Sequence, residues 1–486
     1  MNIAQAKTQV ANAMRAYFTK DEYGHFLLPP EEQRPVFLMG PPGIGKTAVM
    51  KQIADEMGVG LVSYSMTHHT RQSALGLPSI VRRTYGGEEY AVSEYTMSEI
   101  IASVYDMMEE SGTREGILFL DEINCVSETL TPTMLQFLQY KTFGRHKVPD
   151  GWIVVTAGNP TEYNRSAREF DIVTWDRLKR IDIEPDYAAW REYALKAGVH
   201  ASVLTYLDAK KENFYRVEVT VEGKRFVTAR SWCDLSSMIA LYELNGITVD
   251  RLLISQYIQS PDIAEDFANY YDLFNKYRSD YKTDLILAGK APEEICQRAG
   301  EAAFDERLSL IGLLLDRAGA EIRQVIRTED TVTALLGLLR DVKAGASVGE
   351  KLAEQRERLQ RDERRGTLSP EKRREYERVL AFLREHENCT FPEIKGDYDA
   401  MVADMKKDAA AAKTQLEALF GFAEKVWGRG QELLILVTEL TVNAYTARFI
   451  ARYGCESYYK YNEEMMFYQR QTDIIRRIES ISDSIE

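Results

Sequence analysis

Cysteine is scarce in this chain, and its placement forms no pattern. The five cysteines stand far apart, no two of them form a Cys-x-x-Cys pair, and the six histidines show no metal-ligand spacing. A disulfide framework and a structural zinc site are therefore disfavoured. An odd number of cysteines in a long chain is typical of a protein from a reducing compartment.

Long apolar runs are also missing. No stretch approaches the roughly 18 apolar residues of a membrane-spanning helix, and the polar start MNIAQAKTQVANAMRAYF lacks the apolar region of a signal peptide. We therefore expect no membrane segment and a cytoplasmic protein. The 486 residues, 45% hydrophobic and 28% charged, have the composition of a folded protein of two to four domains.

Positive charge is in deficit. Lysine and arginine total 61 against 75 aspartates and glutamates, which gives a net charge of −14. A field of this sign opposes the non-specific capture of a polyanion, although a local basic patch could still bind one. A protein that mainly coats nucleic acid is therefore disfavoured.

Strand and helix patterns alternate between about residues 35 and 185. Apolar runs typical of strands alternate with helix-like patterns, the strands at 35–39, 59–66, 117–120 and 152–156 and the helices at 46–57, 97–110 and 129–140. This alternation predicts a parallel sheet with helices on both faces. Two predicted hairpins, at 79–95 and 141–155, interrupt it.

The remainder of the chain has a different character. Two predicted helices and a hairpin that turns at Glu222-Gly223 lead to about residue 260, and almost everything beyond is helical. Residues 348–386 are highly charged. Gly366 suits a helix end and Ser369-Pro370 a helix start, so we predict a helical hairpin there. A solvated helix face is the plain interpretation of its charge.

The strongest functional signal is a glycine-rich segment between a strand pattern and a helix pattern. It matches G-x-x-x-x-G-K-[ST] and reads Gly40, Pro41, Pro42, Gly43, Ile44, Gly45, Lys46, Thr47, with Ala48 in the helix that follows. Such a loop curls backbone N–H groups around phosphates. We expect Lys46 to contact the β- and γ-phosphates of ATP and Thr47 to coordinate Mg²⁺.

Polar residues at the ends of two later strands complete the predicted site. Asp121 and Glu122 follow the apolar run ILFL, and Asn159 follows VVTAG. Parallel sheets bind ligands at the carboxyl ends of their strands. We expect Asp121 to hold Mg²⁺, Glu122 to act as general base on the attacking water, and Asn159 to contact the γ-phosphate or that water.

These elements, in this order, resemble AAA+ ATPases, and the sequence around them resembles the MoxR family. The likeness covers about residues 35–245 and rests on LDEIN, AGNP, DRLKRIDIEPD and the lid-like PDYAAWREYALKAGVHASVLTYL followed by TARSW. It implies an α/β fold, with a P-loop NTPase (AAA+) parallel-sheet core, a small mainly helical lid and an all-α C-terminal extension. The corresponding regions are 1–185, 186–260 and 261–486, the last including the charged hairpin near 348–386.

The resemblance also implies roles for two arginines. Arg177 matches the arginine finger that reaches the nucleotide of the neighbouring subunit, with Arg168 and Arg180 as alternatives. Arg230 matches the sensor-2 arginine of the lid, although the family often has proline before that arginine. Cys125 stands where the family usually has an arginine, and we interpret it as a packing residue.

The function implied by the resemblance is ATP hydrolysis in a ring, a hexamer by analogy, that remodels or matures a partner. MoxR-like ATPases commonly act with von Willebrand factor A domain proteins, and no D-x-S-x-S motif is evident here, so such a partner would be a separate chain. The two hairpins would face the pore, with Tyr85, Tyr90 and His146 available to a client. Alternatives are a nucleic-acid motor of the McrB or initiator type, and a nucleotide-dependent scaffold with little turnover.

Overall fold

The computed structural model describes residues 1–68, 74, 76–220, 223–366 and 368–464. The strands are β1 (Val36–Met39), β2 (Gly60–Ser65), β3 (Pro78–Tyr85), β4 (Glu88–Tyr95), β5 (Gly116–Asp121), β6 (Thr142–Phe143), β7 (His146–Lys147), β8 (Trp152–Gly158), β9 (Lys179–Asp182), β10 (Arg216–Thr220) and β11 (Gly223–Val227).

The helices carry most of the remaining residues. They are α1 (Ile3–Tyr17), α2 (Lys46–Met57), α3 (Glu99–Ser111), α4 (Thr131–Tyr140), α5 (Ile172–Trp175), α6 (Tyr187–Ala197), α7 (Ala201–Ala209), α8 (Ala229–Leu244), α9 (Arg251–Tyr257), α10 (Pro261–Tyr281), α11 (Thr283–Leu287), α12 (Glu293–Glu301), α13 (Phe304–Lys343), α14 (Val348–Arg364), α15 (Pro370–Glu385), α16 (Phe391–Trp427), α17 (Gln431–Val442) and α18 (Ala444–Tyr453).

Two compact units divide the chain, and neither is continuous in sequence. Unit 1 comprises Met1–Ala189, Thr228–Arg230 and Gly349–Arg384, and unit 2 comprises Trp190–Val227, Ser231–Val348 and Glu385–Glu486. The boundaries predicted from the sequence, 1–185, 186–260 and 261–486, stay a prediction.

Unit 1 is built on a five-stranded parallel sheet with the order β2-β5-β8-β1-β9. Its three central strands are almost continuous apolar runs and are buried on both faces, as parallel strands covered by helices must be. β1, β5 and β8 lie side by side and end at Met39, Asp121 and Gly158. The predicted doubly covered sheet is therefore present, and β9 is an edge strand that the sequence did not signal.

Unit 1 also contains two antiparallel hairpins. β3 pairs with β4 along its whole length, while β6 and β7 pair over only two residues each. The prediction of a hairpin over 141–155 was too long, because β8 begins at Trp152 as a central strand of the parallel sheet. The antiparallel partner of β6 is therefore β7, and the turn lies at Gly144.

The charged helices α14 and α15 form the predicted helical hairpin, and most of both belongs to unit 1. At its turn, the carbonyl oxygen of Arg365 accepts a hydrogen bond of 3.3 Å from the N–H of Leu61 on edge strand β2. Lys372 also lies 3.8 Å from Asp55 on α2. Most charged residues of the two helices are exposed, in agreement with a solvated helix face. The turn of the hairpin, by contrast, is docked against the nucleotide-binding unit.

Unit 2 is mainly helical, with one hairpin of β10 and β11. Its main core forms where the long helices α13 and α16 pack together with α12, α17 and α18. A second aromatic group joins Tyr206, Trp232 and Phe267. The turn predicted at Glu222-Gly223 lies partly outside the described residues.

Within the described ranges, no single helix is long and apolar enough to cross a membrane. α17 and α18 pass the same test only as a pair, bent by 90°.

Candidate functional site

The glycine-rich loop joins β1 to α2 at the carboxyl edge of the parallel sheet. Gly43 and Gly45 have φ angles of 75° and 97°, a conformation that favours glycine. A Cβ atom on Gly43 would lie only 2.7 Å from the hydroxyl oxygen of Thr228. The chain around residue 228 therefore returns to the loop, and glycine makes this approach possible.

Lys46 starts α2 and folds back into the loop. Its ammonium donates to the carbonyl oxygens of Gly40 and Pro41, at 2.7 and 3.0 Å, and to Oδ1 of Asn159 at 2.9 Å. The side chain is only 8% exposed. Burial lowers the pKa of Lys46 to about 8, and Asp121 partly opposes this effect. The structure thus brings Lys46 and Asn159 together, as the sequence predicted.

Thr47 and Asp121 meet across the same edge. The Thr47 hydroxyl donates to Oδ2 of Asp121 at 2.9 Å, while Oδ1 of Asp121 accepts a hydrogen bond from the backbone N–H of Glu122. A hydroxyl beside a carboxylate is an oxygen pair of the kind that Mg²⁺ takes next to nucleotide phosphates. This pair fits the predicted metal site.

Glu122 has a left-handed backbone, with φ of 57°, immediately after β5. Its carboxylate accepts hydrogen bonds from the hydroxyls of Ser65 and Thr67, at 3.1 and 3.2 Å. Ser65 is the last residue of β2 and lies in register with Asp121. Sequence reasoning missed both hydroxyls, although polar residues directly after an apolar run were a usable signal.

Asn124 supports the strand end that carries Asn159. It is 2% exposed, and its side-chain amide donates to the backbone oxygen of Asn159 at 2.8 Å. Its own backbone oxygen accepts the N–H of Arg168. Cys125 follows it and accepts a hydrogen bond from Asn164. Burial raises the pKa of the Cys125 thiol, which agrees with a packing role and not with a nucleophile.

The three candidate finger arginines differ in their surroundings. Arg168 pairs with Glu128 at 3.0 Å, and Arg180 pairs with Asp182 while its guanidinium lies over the ring of Trp175. Arg177 is exposed, and its side chain makes no hydrogen bond or ion pair within the described ranges. Among the three, Arg177 is the one available to another molecule.

Aromatic side chains that precede Arg177 in the sequence anchor its turn to the sheet of unit 1. Phe170 and Trp175 both make edge-to-face contacts with Phe37 on β1, with centroid distances of 5.6 and 5.0 Å. β1 leads directly into the phosphate loop. The position of Arg177 is therefore tied to the strand that feeds the site.

Arg230 reaches the site through the short segment of unit 1 that precedes most of α8. Its backbone N–H donates to the carbonyl oxygen of Gly43 at 3.1 Å, and its charge acts to lower the pKa of Lys46. The side chain is exposed. The structure thus places the backbone of this arginine against the phosphate loop, and its role as a sensor-2 arginine stays a prediction.

The arrangement suits a magnesium nucleotide. The loop offers backbone N–H groups and the N-terminus of α2, which together attract phosphate. Lys46 supplies a buried cation, while Thr47 and Asp121 supply oxygen ligands for Mg²⁺ and Glu122 lies beside them. When bound, Mg²⁺ would neutralise charge on the phosphates.

Comparison with known families agrees with this site. Residues 36–171 match the family described as "ATPase family associated with various cellular activities (AAA)". The match begins at β1, includes the phosphate loop, Asp121, Glu122 and Asn159, and ends at Asp171. No curated protein matches the chain. The predicted fold class, a P-loop α/β core with a helical extension, is confirmed, and the chain carries an AAA ATPase domain.

Proposed function

Starting from the AAA ATPase domain in residues 36–171, we propose that this chain is a MoxR-like AAA+ ATPase. It hydrolyses ATP with Mg²⁺ in a ring assembly, by analogy a hexamer, and uses the cycle to remodel or mature a partner protein or complex. One observation carries the proposal: Lys46, Asp121 and Asn159 lie together at one edge of the sheet. Lys46 bonds to Asn159, and Asp121 bonds to Thr47 and to the backbone N–H of Glu122.

Each residue at that edge has a task in the proposed reaction. Lys46 and the loop from Gly40 to Ala48 bind the phosphates, and Thr47 and Asp121 hold Mg²⁺. Glu122 accepts the proton of the attacking water, and Asn159 orients that water or the γ-phosphate. Ser65 and Thr67 both donate to Oε2 of Glu122, so these hydroxyls can orient the carboxylate while Oε1 takes the proton.

The two exposed arginines complete the site. Arg230 belongs to unit 1 and acts on the nucleotide of its own subunit. Arg177 is exposed and makes no side-chain hydrogen bond or ion pair within the described ranges. It acts on the nucleotide of a neighbour, which is why the proposal requires an assembly. A finger of this kind contributes about 10³–10⁵ in rate where it acts.

A separate protein partner is part of the proposal, and a von Willebrand factor A domain protein is the class that the resemblance favours. We assign its recruitment to the helices of unit 2. The charged hairpin is a weaker candidate for this recruitment, because its turn contacts β2 and its Lys372 lies near α2.

The central experiment compares ATP turnover and ATP binding in three proteins. Glu122→Gln should retain binding and lose about 10²–10⁴ of turnover, because it removes the base and little else. Glu110→Gln, at an exposed position on α3, is the control and should behave as the unaltered chain. Unchanged turnover in Glu122→Gln would instead favour the nucleotide-dependent scaffold.

The same variant identifies the partner. Because Glu122→Gln should hold ATP without hydrolysing it, a complex that forms in the ATP state accumulates. Affinity capture with Glu122→Gln, compared with capture with Lys46→Ala, should enrich one partner in the first sample only. Enrichment of DNA or RNA in place of protein would support the nucleic-acid motor.

A further inference from the structure

One buried amide links the ends of two central strands of unit 1. Asn124 is 2% exposed and lies in the 3₁₀ turn Ile123–Cys125, directly after β5 and Glu122. Its Nδ2 donates to the backbone oxygen of Asn159, which follows β8, at 2.8 Å. A Cβ atom on Gly158 would lie only 2.5 Å from Oδ1 of Asn124. The amide is therefore packed directly against the backbone at the end of β8.

The backbone oxygen of Asn159 depends on this amide. β8 ends at Gly158, so Asn159 lies beyond the ladder of hydrogen bonds that joins β8 to its neighbouring strands. Among the described residues, Asn124 is the only donor to the backbone oxygen of Asn159. Without this amide, no other hydrogen bond in the described part of the chain would hold that carbonyl group in place.

The direction of the Asn159 side chain follows from that backbone. Its Oδ1 accepts a hydrogen bond from Nζ of Lys46 at 2.9 Å, whereas its Nδ2 makes no hydrogen bond to any described residue. Nδ2 is thus the atom that can donate to a γ-phosphate oxygen or to the attacking water. A change in the backbone dihedral angles of residue 159 would swing this atom through the site, so the hydrogen bond from Asn124 limits where it points.

The same turn follows directly on the predicted general base. Glu122 lies two residues before Asn124, and its left-handed backbone, with φ of 57°, starts the turn. The segment that follows Asn159 also returns to this turn, since the N–H of Arg168 donates to the backbone oxygen of Asn124 at 2.9 Å. The position of Asn159 relative to Glu122 is therefore set through one short turn of the chain.

We propose that Asn124 is a positioning residue for ATP hydrolysis, which holds Asn159 in a fixed place relative to Glu122. This role rests on the proposed function. Glu122 takes the proton of the attacking water while Nδ2 of Asn159 donates to that water or to the γ-phosphate, so the two groups must converge on the same reacting atoms. Asn124 acts through Asn159 and makes no contact of its own with those atoms.

The first test compares Asn124→Ala with a matched truncation elsewhere in unit 1. Asn124→Ala should lower kcat about tenfold or more and leave ATP affinity within about twofold, because the loop and Lys46 still bind the phosphates. Gln33→Ala is the control, since Gln33 is 6% exposed and its amide likewise donates to backbone oxygens, those of Tyr17 and Leu28. This control should leave kcat unchanged.

A double-mutant cycle separates positioning from stability. Both substitutions are repeated together with Asn159→Ala, which removes the side-chain amide that Asn124 positions but keeps the backbone oxygen to which Asn124 donates. In that background Asn124→Ala should lower turnover by less than about twofold further, because no amide remains to be positioned. A loss of turnover caused by damage to the fold would persist at full size.

Asn124→Val, which keeps more of the side-chain volume without a donor, is measured in the same cycle, so that the result does not depend on one variant that folds poorly. Equal losses with and without the Asn159 side chain, or no loss in either background, would overturn the positioning role and leave the proposed function intact. An unaltered chain that does not turn over ATP would overturn the proposed function, and this role with it.

Discussion

Lys46 is a cation held in a site that penalises cations. Burial lowers its pKa to about 8, and the charge of Arg230 acts in the same direction, while Asp121 and Glu122 oppose them. With a pKa of about 8, Lys46 should be mainly protonated at pH 7 and mainly neutral at pH 9 in the free protein. Bound phosphates favour the protonated form, so nucleotide binding must raise this pKa.

Proton uptake on ATP binding is the first prediction. At pH 7 binding should take up little of a proton at Lys46, and at pH 9 most of one, because the neutral amine gains a proton when phosphate arrives. ATP affinity should correspondingly fall as the pH rises through 8. Titration calorimetry in two buffers of different ionisation enthalpy measures the uptake.

A matched control for this prediction is Lys141. Burial also lowers its pKa to about 8, but its ammonium donates to Gln33, which is outside the phosphate loop. Lys141→Met should therefore leave the proton uptake on ATP binding unchanged. If Lys141→Met abolished the proton uptake, the titrating group would be Lys141, and the assignment to Lys46 would be wrong.

The three candidate arginines give the second prediction. Arg177→Ala should lower turnover by about 10³–10⁵ with ATP affinity unchanged, because its side chain is free to act on a neighbour. Arg168→Ala and Arg180→Ala remove groups engaged by Glu128 and Asp182 and should cost far less turnover. Steady-state kinetics and nucleotide-binding measurements on the three variants distinguish the candidates. A larger loss of turnover in Arg168→Ala or Arg180→Ala would assign the role of arginine finger to that residue.

Residue types explain which parts of the site could be predicted from the sequence. Lys46, Thr47 and the two acids stand in a local pattern whose chemistry requires those residues. Ser65, Thr67 and Asn124 contact the site only because β2, β5 and β8 are neighbours in the sheet. That order depends on long-range pairing, which no short pattern expresses.

At the scale of elements, the turn between α14 and α15 offers a test of docking. Gly366 there and Gly112 at the end of α3 have φ angles of 69° and 68°, so alanine costs about 1–2 kcal/mol of backbone strain at each. A Cβ on Gly366 would also lie 3.2 Å from the backbone oxygen of Leu61, whereas Gly112 has no such neighbour among the described residues.

Gly366→Ala should therefore loosen the docked turn, and Gly112→Ala should not. The expected sign is faster hydrogen exchange at the N–H of Leu61 in Gly366→Ala alone, since this N–H donates to Arg365 at the turn. Equal exchange in both variants would mean that the contact with β2 contributes nothing to the stability of the strand.

Helices and strands with a clear hydrophobic pattern were predicted well. Elements that can be identified only by the segments they pair or pack with were not. The strand at 152–156 and the helix at 46–57 agree with β8 and α2 to within two residues. β9 is a short edge strand whose lysine, arginine and aspartate give no apolar run, so only its pairing with β1 identifies it. The docking of the charged hairpin was missed because its composition resembles a solvated helix.

At the scale of the whole molecule, trans action of Arg177 predicts complementation. Lys46→Ala subunits lack a nucleotide site but retain the finger, and Arg177→Ala subunits have the reverse defect. Mixing the two should recover ATP turnover, because some sites then combine an intact loop with an intact finger. Turnover measured across mixing ratios should peak between the two pure proteins.

The control mixture combines Lys46→Ala with Glu122→Gln. Both substitutions damage the site that a subunit contributes from its own chain, so no arrangement of subunits restores a complete one. Recovery in this mixture, or none in the first, would contradict a finger that acts between subunits.

The discontinuity of unit 1 has a consequence for synthesis of the chain. Because unit 1 takes its last segment from Gly349–Arg384, the ribosome must reach residue 384 of 486 before the nucleotide-binding unit is complete. At about 5–20 residues per second, that leaves β2 for tens of seconds without the turn that later covers it. The nascent chain is then an incomplete sheet with an open edge, so we expect it to depend on cellular folding helpers during this interval and the finished protein to need them less.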